Sequence, residues 1–233
     1  STLSEIIDFV AVLKSSRVIS GEIVLEKLLS NLLNILIENV GGQRGFLILV
    51  DNNTLTIESK KEYNSDSTEI IESYPLERSN ELSKMIVYYV WQTGESILID
   101  DALLSTQFQR DEYLTKNEVR SVLCVPIINH GDTVAIMYVE NNSAACVFTK
   151  ERLHLTEILT SQAAISIENA KLYNTLEQKV LDRTEQLNEE KKKSDNLLKN
   201  ILPSEIITEL HENGVVNAKL FEQATVLFSD FKD

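Results

Sequence analysis

The sequence predicts an α+β protein: an antiparallel sheet flanked by helices, then a long parallel coiled-coil helix, then a short helix–strand tail. Three observations predict it. Two pairs of β-rich runs, within 45–61 and 120–139, are each joined by a short connection of Asn, Asp or Gly, as antiparallel hairpins require. Apolar residues recur at helical spacing on either side of the sheet region. Residues Leu172 to Leu202 contain neither Gly nor Pro and repeat a heptad stripe.

Taken in order, Leu3, Ile6, Ile7, Val10 and Leu13 stand at helical spacing and predict an N-terminal helix within 1–19. Ser20 offers a cap for a second helix, Glu22 to Asn39, with Val24, Leu28, Leu32, Ile35 and Leu36 on its inner stripe. Gly41-Gly42 ends it. GFLILV (45–50) and Thr54 to Lys61 then form a hairpin around Asp51-Asn52-Asn53. Residues 64–80 have no pattern and read as a loop or an irregular strand. Leu82 to Gln92 predicts a helix closed by Gly94, and Ser96 to Ile99 a short strand ending in Asp100-Asp101. Residues 102–119, with Phe108 and Tyr113 among polar neighbours, read as a short helix and loops. Arg120 to Ile128 and Thr133 to Val139 are strong strands around Asn129-His130-Gly131-Asp132. Thr149 caps a helix from Lys150 onward, and Ile158, Ile165 and Leu172 carry its apolar stripe without a breaker into the coil.

In the coil, 172–202, Leu176, Val180, Arg183, Leu187, Glu190, Ser194, Leu197 and Ile201 follow one another by alternating steps of four and three. A helix of this kind is stabilised by a partner, here a second copy in parallel. Arg183, Glu190 and Ser194 occupy seam positions where Leu is most stable, which loosens the register. A helix that transmits a change and a plain dimerisation rod both fit the pattern.

The 233 residues are 43% hydrophobic, enough for one ordinary core and an extended appendage. With 36 acidic against 22 basic residues the formal charge is -14, which argues against nucleic acid and anionic lipid as partners. No segment is long and apolar enough to span a bilayer, and no secretory signal opens the chain. Cys124 and Cys146 have neither metal spacing nor a disulfide framework, which fits a reducing, cytoplasmic compartment. Ser1 and Asp233 are expected to bound one part of a longer protein.

The blocks RGFLIL, TGESILIDDA, SVLCVPIINHGDTVAIMYVENN and FTKERLHLTEILTSQAAISIENAKLY, in that order, resemble a GAF domain over about residues 20–175, with the sensor domain itself expected at 20–171. The resemblance implies a six-stranded antiparallel sheet, helices on one face that pair two copies, and a small-molecule pocket on the other. That pocket would be roofed by 100–119 and floored by 96–99 and 120–125, which places Ile99, Asp100, Asp101, Phe108, Tyr113, Val122 and Cys124 at it. Asp100 and Asp101 fit a ligand amine or cation and fit a turn equally well. Against the pattern of cyclic-nucleotide-binding relatives, Asn141 and Phe148 match, but Asn142 replaces a Lys and Glu151-Arg152 stands where an acidic pair belongs. A bilin would need His after Cys124, where Val125 stands. None of the three His (His130, His154, His211) lies on the coil, against a histidine-kinase dimerisation helix there. With 7 Gly and no Ser-His-Asp, Cys-His, phosphate-loop or zinc pattern, the chain itself shows no catalytic set and implies no cofactor of its own.

After Pro203, read as a first-turn proline, SEIITELHENG predicts a short helix and Gln223 to Phe231 a strand ending in Asp230. NILPSEIITEL followed by FEQATVLFSDFKD resembles the start of a class III adenylate or guanylate cyclase catalytic domain, so that 203–233 would be its truncated N-terminal part. The resemblance makes Asp230, with the Phe231 backbone carbonyl, a ligand of Mg2+ or Mn2+ in the intact cyclase. Two-metal chemistry cannot run on one carboxylate, so this stretch alone is not expected to be an enzyme.

Overall fold

The structure is a computed structural model that describes residues 22, 24–62, 69–216, 218, 220, 222–223 and 225–227. The chain divides into two compact units, Ser1–Glu177 and Gln178–Asp233. The predicted helix within 1–19 and its neighbouring Ser20 cap lie outside the described residues.

The first unit opens with α1, Leu25–Val40. It begins three residues later than the spacing predicts, with Val24 at the cap and Glu22 Oε1 accepting the Val24 amide at 3.0 Å. Gly41, at φ 74°, turns the chain out of the helix, and Arg152 Nη1 donates to the last carbonyl, Val40, at 2.7 Å. Six strands follow: β1 (Arg44–Asp51), β2 (Thr54–Glu62), β3 (Glu69–Pro75), β4 (Ile97–Ile99), β5 (Ser121–Asn129) and β6 (Asp132–Asn141). Their order in the sheet is β3-β2-β1-β6-β5-β4, every neighbouring pair antiparallel. Both predicted hairpins form on two-residue turns of positive φ, Asn52-Asn53 (45° and 62°) and His130-Gly131 (51° and 93°), the hand that matches strand twist. β3 forms where the sequence reads as a loop or irregular strand, and it pairs with β2 across a register shift between Ile57 and Ser59.

Between the strands lie α2 (Lys84–Thr93), closed by Gly94 at φ 68°, and the one-turn α3 (Glu112–Lys116). Alternation along β1 and β6 sorts their side chains onto two faces. Leu47, Met137 and Val139 pack against Leu28, Leu32 and Leu36 of α1, while Phe46, Ile48, Ile136 and Tyr138 pack against Ile86 and Val90 of α2. That two-sided burial is why GFLILV is continuously apolar. The long helix α4, Lys150–Ile201, starts at Thr149, whose hydroxyl accepts the Arg152 amide at 3.3 Å. Leu159, Ala163, Ala164, Ile167 and Ala170 bury its inner face beside α1, and Lys171 Nζ donates to the Val50 carbonyl at 3.2 Å.

In the second unit, α4 ends at Ile201 and α5, Ser204–Asn213, ends at Gly214 with φ 69°. Pro203 is the cap of α5 rather than a first-turn residue: its ψ of 146° is extended, so the helix begins one residue later. Asp230 and Phe231 lie outside the described residues, as does most of the strand predicted at 223–231. Residues 223 and 225–227 carry no regular structure, and Val226 and Leu227 are exposed. No described helix is long and apolar enough to cross a membrane.

Candidate functional site

The face of the sheet opposite α1 carries the polar groups of interest, gathered where β1 begins and β6 ends. Glu140 is fully buried on β6. Tyr138, two residues earlier on the same face, donates to its Oε2 at 2.9 Å. The Tyr113 hydroxyl of α3 lies 2.8 Å from Glu140 Oε1 and 2.6 Å from the Glu81 carbonyl; its one proton serves either. Arg44 completes the group, with Nη1 3.4 Å from the Tyr113 oxygen and 3.9 Å from Glu140, and Nη2 2.9 Å from Glu62. Lys60 bridges to Glu81 at 3.0 Å. Burial raises the Glu140 carboxyl above its ordinary range, against the opposing pull of the two tyrosine hydrogen bonds and Arg44. Burial first, then the Glu140 charge, raises both tyrosines.

Beside this network, the N-termini of α2 and α3 are tied together. The Ser83 hydroxyl accepts the Ile86 amide at 3.1 Å, capping α2, and donates to Asp111 Oδ2. Asp111 Oδ1 in turn accepts the Tyr113 and Leu114 amides at 2.9 and 3.3 Å, capping α3. Between the two caps opens a cleft of about 460 Å3, walled by residues from 80–85 and 110–117, a volume that suits a small molecule. Leu82, Met85 and the Tyr113 ring give it an apolar side, Asn80 and Asn117 a polar one, and Lys84, Arg110 and Lys116 its cations.

Of the residues expected at a ligand pocket, Tyr113 lines this cleft. Ile99, Phe108, Val122 and Cys124 are brought together, but as members of one buried apolar cluster, with Tyr89 meeting Phe108 edge-on at 6.0 Å. Burial pushes the Cys124 thiol far up, so it packs as a small apolar side chain. Asp101 pairs with Arg120 at 2.6 Å and accepts the Leu103 amide, while the exposed Asp100 offers its carbonyl to Cys146 at 2.7 Å. Asp101 thus holds a turn, and Asp100 ties the loop of Cys146 to the end of β4. Asn141 folds over its own loop, accepting the Ser143 and Ala144 amides, and Phe148 is core. Among the described residues no three His, Cys, Asp or Glu gather to hold a metal.

Arg44, Glu140, Ser83 and Asp111 carry the local architecture and escape the sequence reading. A signal existed for two of them. Ser83 precedes the first helical turn of KMIVYY, and Glu140 follows the apolar run VAIMYV of β6.

On the coil side, Leu172, Leu176, Val180, Arg183, Leu187 and Leu197 are exposed in the single chain, as are Ile158 and Ile165. Ile201 ends the helix.

The GAF domain family matches residues 24–167. Among curated relatives, hybrid signal transduction histidine kinase G of Dictyostelium discoideum is 36% identical over 88 residues, 38% of this chain and 3% of its own length. Receptor-type guanylate cyclase gcy-20 of Caenorhabditis elegans is 49% identical over 57 residues, 24% of this chain and 5% of its own. The chain thus matches only a small part of these much longer proteins. Among solved structures, the GAF domain from an Acinetobacter phosphoenolpyruvate-protein phosphotransferase superposes with a TM-score of 0.57 at 18% identity, over 71% of this chain and 95% of that one, a likeness of fold. Six antiparallel strands in this order, helices on both faces, and a family match across most of the first unit lead to one assignment: the chain belongs to the GAF domain family.

Proposed function

We propose that residues 20–171 are the sensor, 172–202 the signalling coil, and 203–233 the beginning of the output domain of a class III adenylate or guanylate cyclase. The unit works as a cytoplasmic, parallel homodimer. The observation that carries this is helix α4: one helix, Lys150–Ile201, holds both the alanines buried in the sensor core and the exposed seam from Leu172 to Leu197. A second copy would cover that seam. The guanylate cyclase among the relatives and the likeness of NILPSEIITEL and FEQATVLFSDFKD to a cyclase start support the output assignment. Asp230 and the Phe231 carbonyl would contribute to the Mg2+ or Mn2+ site of the intact enzyme, whose further ligands come from elsewhere in it. Class III sites form between two chains, so a ligand that favours one sensor conformation controls synthesis by its differential affinity for the two states.

The test is a chimera: this chain joined in register at Asp230 to a class III catalytic domain, assayed for cyclic nucleotide production. Substituting Leu176, Val180 and Leu187 together by Ser is expected to abolish synthesis. Undiminished synthesis in that variant would end the relay reading.

A second reading, a ligand-free GAF scaffold that only pairs chains, is favoured by the burial of Ile99, Phe108, Val122 and Cys124 where a pocket floor and roof were expected. Calorimetric titration with cAMP, cGMP and a metabolite panel separates the two. No heat from any of them, with an unmoved melting temperature, selects the scaffold.

A further inference from the structure

The cleft between the α2 and α3 caps has a charge that runs against the rest of the molecule. The chain carries -14, yet Lys84, Arg110 and Lys116 line this one hollow. Two acids share it, and they are not equivalent. Asp111 is buried, with its carboxylate committed to Ser83, Tyr113 and Leu114, so it offers little to the cleft. Glu112 remains as the one exposed acid.

The cations differ in the same way. Lys84 gives one proton to the Glu77 carbonyl at 2.6 Å and keeps two. Arg110 and Lys116 are exposed and have no hydrogen bond or ion pair to any described residue. They also line a second, neighbouring hollow of about 310 Å3, together with Gln109, Thr115 and the same two acids. The phenol of Tyr113 is turned to Glu81, Glu140 and Arg44, which fixes the wall against which a ligand would rest.

From this arrangement we infer that the cleft binds a small polyanionic metabolite, a phosphate or carboxylate bearer. Arg110 and Lys116 clamp its charge, and the exposed Met85 receives its apolar part. Arg110 presents a fork that suits either oxyanion, and the flexible Lys116 follows it as a point charge. This rests on reading the domain as a ligand-binding sensor. It places the ligand outside the buried cluster of Phe108 and Val122, at the joint of the two helix caps. Occupancy there would brace α3 against α2, and Tyr113 would pass that bracing to the Arg44–Glu140 network.

Calorimetric titration of the whole chain with pyrophosphate, with citrate and with uncharged adenosine, at fixed ionic strength, tests it. Saturable binding by pyrophosphate alone names a phosphate bearer, by citrate alone a carboxylate bearer, and by both a general polyanion site. The Arg110→Gln/Lys116→Gln pair, both exposed, is expected to weaken that binding at least about tenfold while the melting temperature without ligand is unchanged. The Lys27→Gln/Lys150→Gln pair removes the same charge elsewhere on the exposed surface and is expected to bind as the wild type does. Absence of saturable binding by either anion, equal binding of adenosine, or equal weakening by both pairs overturns the inference. The outcome is independent of the relay: a chimera that fails while pyrophosphate or citrate still binds indicts the coil, and a working chimera with an empty titration indicts the cleft.

Discussion

Glu140 is a carboxylate enclosed by its own fold, with two phenols and a guanidinium as its company. Its proton affinity is raised in the folded chain, chiefly by burial, and returns to the ordinary 4.5 on unfolding. Between 4.5 and the raised value the folded state holds a proton that the unfolded state has already released. Stability therefore falls as pH rises through that window, and is level in this contribution below and above it. Glu62 works in the opposite sense: burial opposes its charge, but Arg44 and Lys60 together outweigh that and lower its proton affinity, so its contribution is lost as pH falls through its lowered value toward acid. Urea midpoints measured across pH are expected to show the decline above 4.5 in the wild type and not in Glu140→Gln. Parallel curves for the two proteins would show that Arg44 keeps Glu140 ionised throughout.

At the scale of elements, the seating of α1 on the sheet is set by a missing side chain. A Cβ on Gly45 would stand 2.5 Å from Ile37 Cδ1 and 2.8 Å from its Cγ1, so β1 approaches α1 more closely than any other residue there allows. Gly45→Ala is expected to destabilise the domain by about 1–3 kcal/mol, read from the denaturation midpoint, because Ile37 is buried and has little room to give. How much was legible follows from the same kind of constraint. α1, both hairpins and the start of α4 were readable because burial on one or two faces writes a period into the sequence. β3 was not: its place comes from the open edge of β2 and a shifted register, neither of which leaves an alternation behind. In the site, Tyr113 was readable as an aromatic among polar neighbours, whereas Lys84, Arg110 and Lys116 look like any solvated charge until the fold brings residues 80–85 and 110–117 together.

At the scale of the molecule, the proposed dimer depends on apolar residues that a single chain leaves open to water. Leu176, Val180 and Leu187 are each more than half exposed, and an unpaired helix gains nothing from displaying them. Light scattering is expected to give a dimer for this chain and a monomer when all three are Ser. Dimers that persist in the triple variant would place the pairing on Ile158 and Ile165 instead.

The sheet's order has one more consequence, for synthesis. β1 is completed on one side by β2, which follows it at once, and on the other by β6, which begins at Asp132. Residues 52–131 must leave the ribosome first, about 4–16 s at roughly 5–20 residues per second. For that interval the nascent polypeptide holds the open edge of an apolar strand toward whatever is nearby. A chaperone that clasps extended apolar segments would find GFLILV unguarded there, and would lose its grip once translation has passed Asn141.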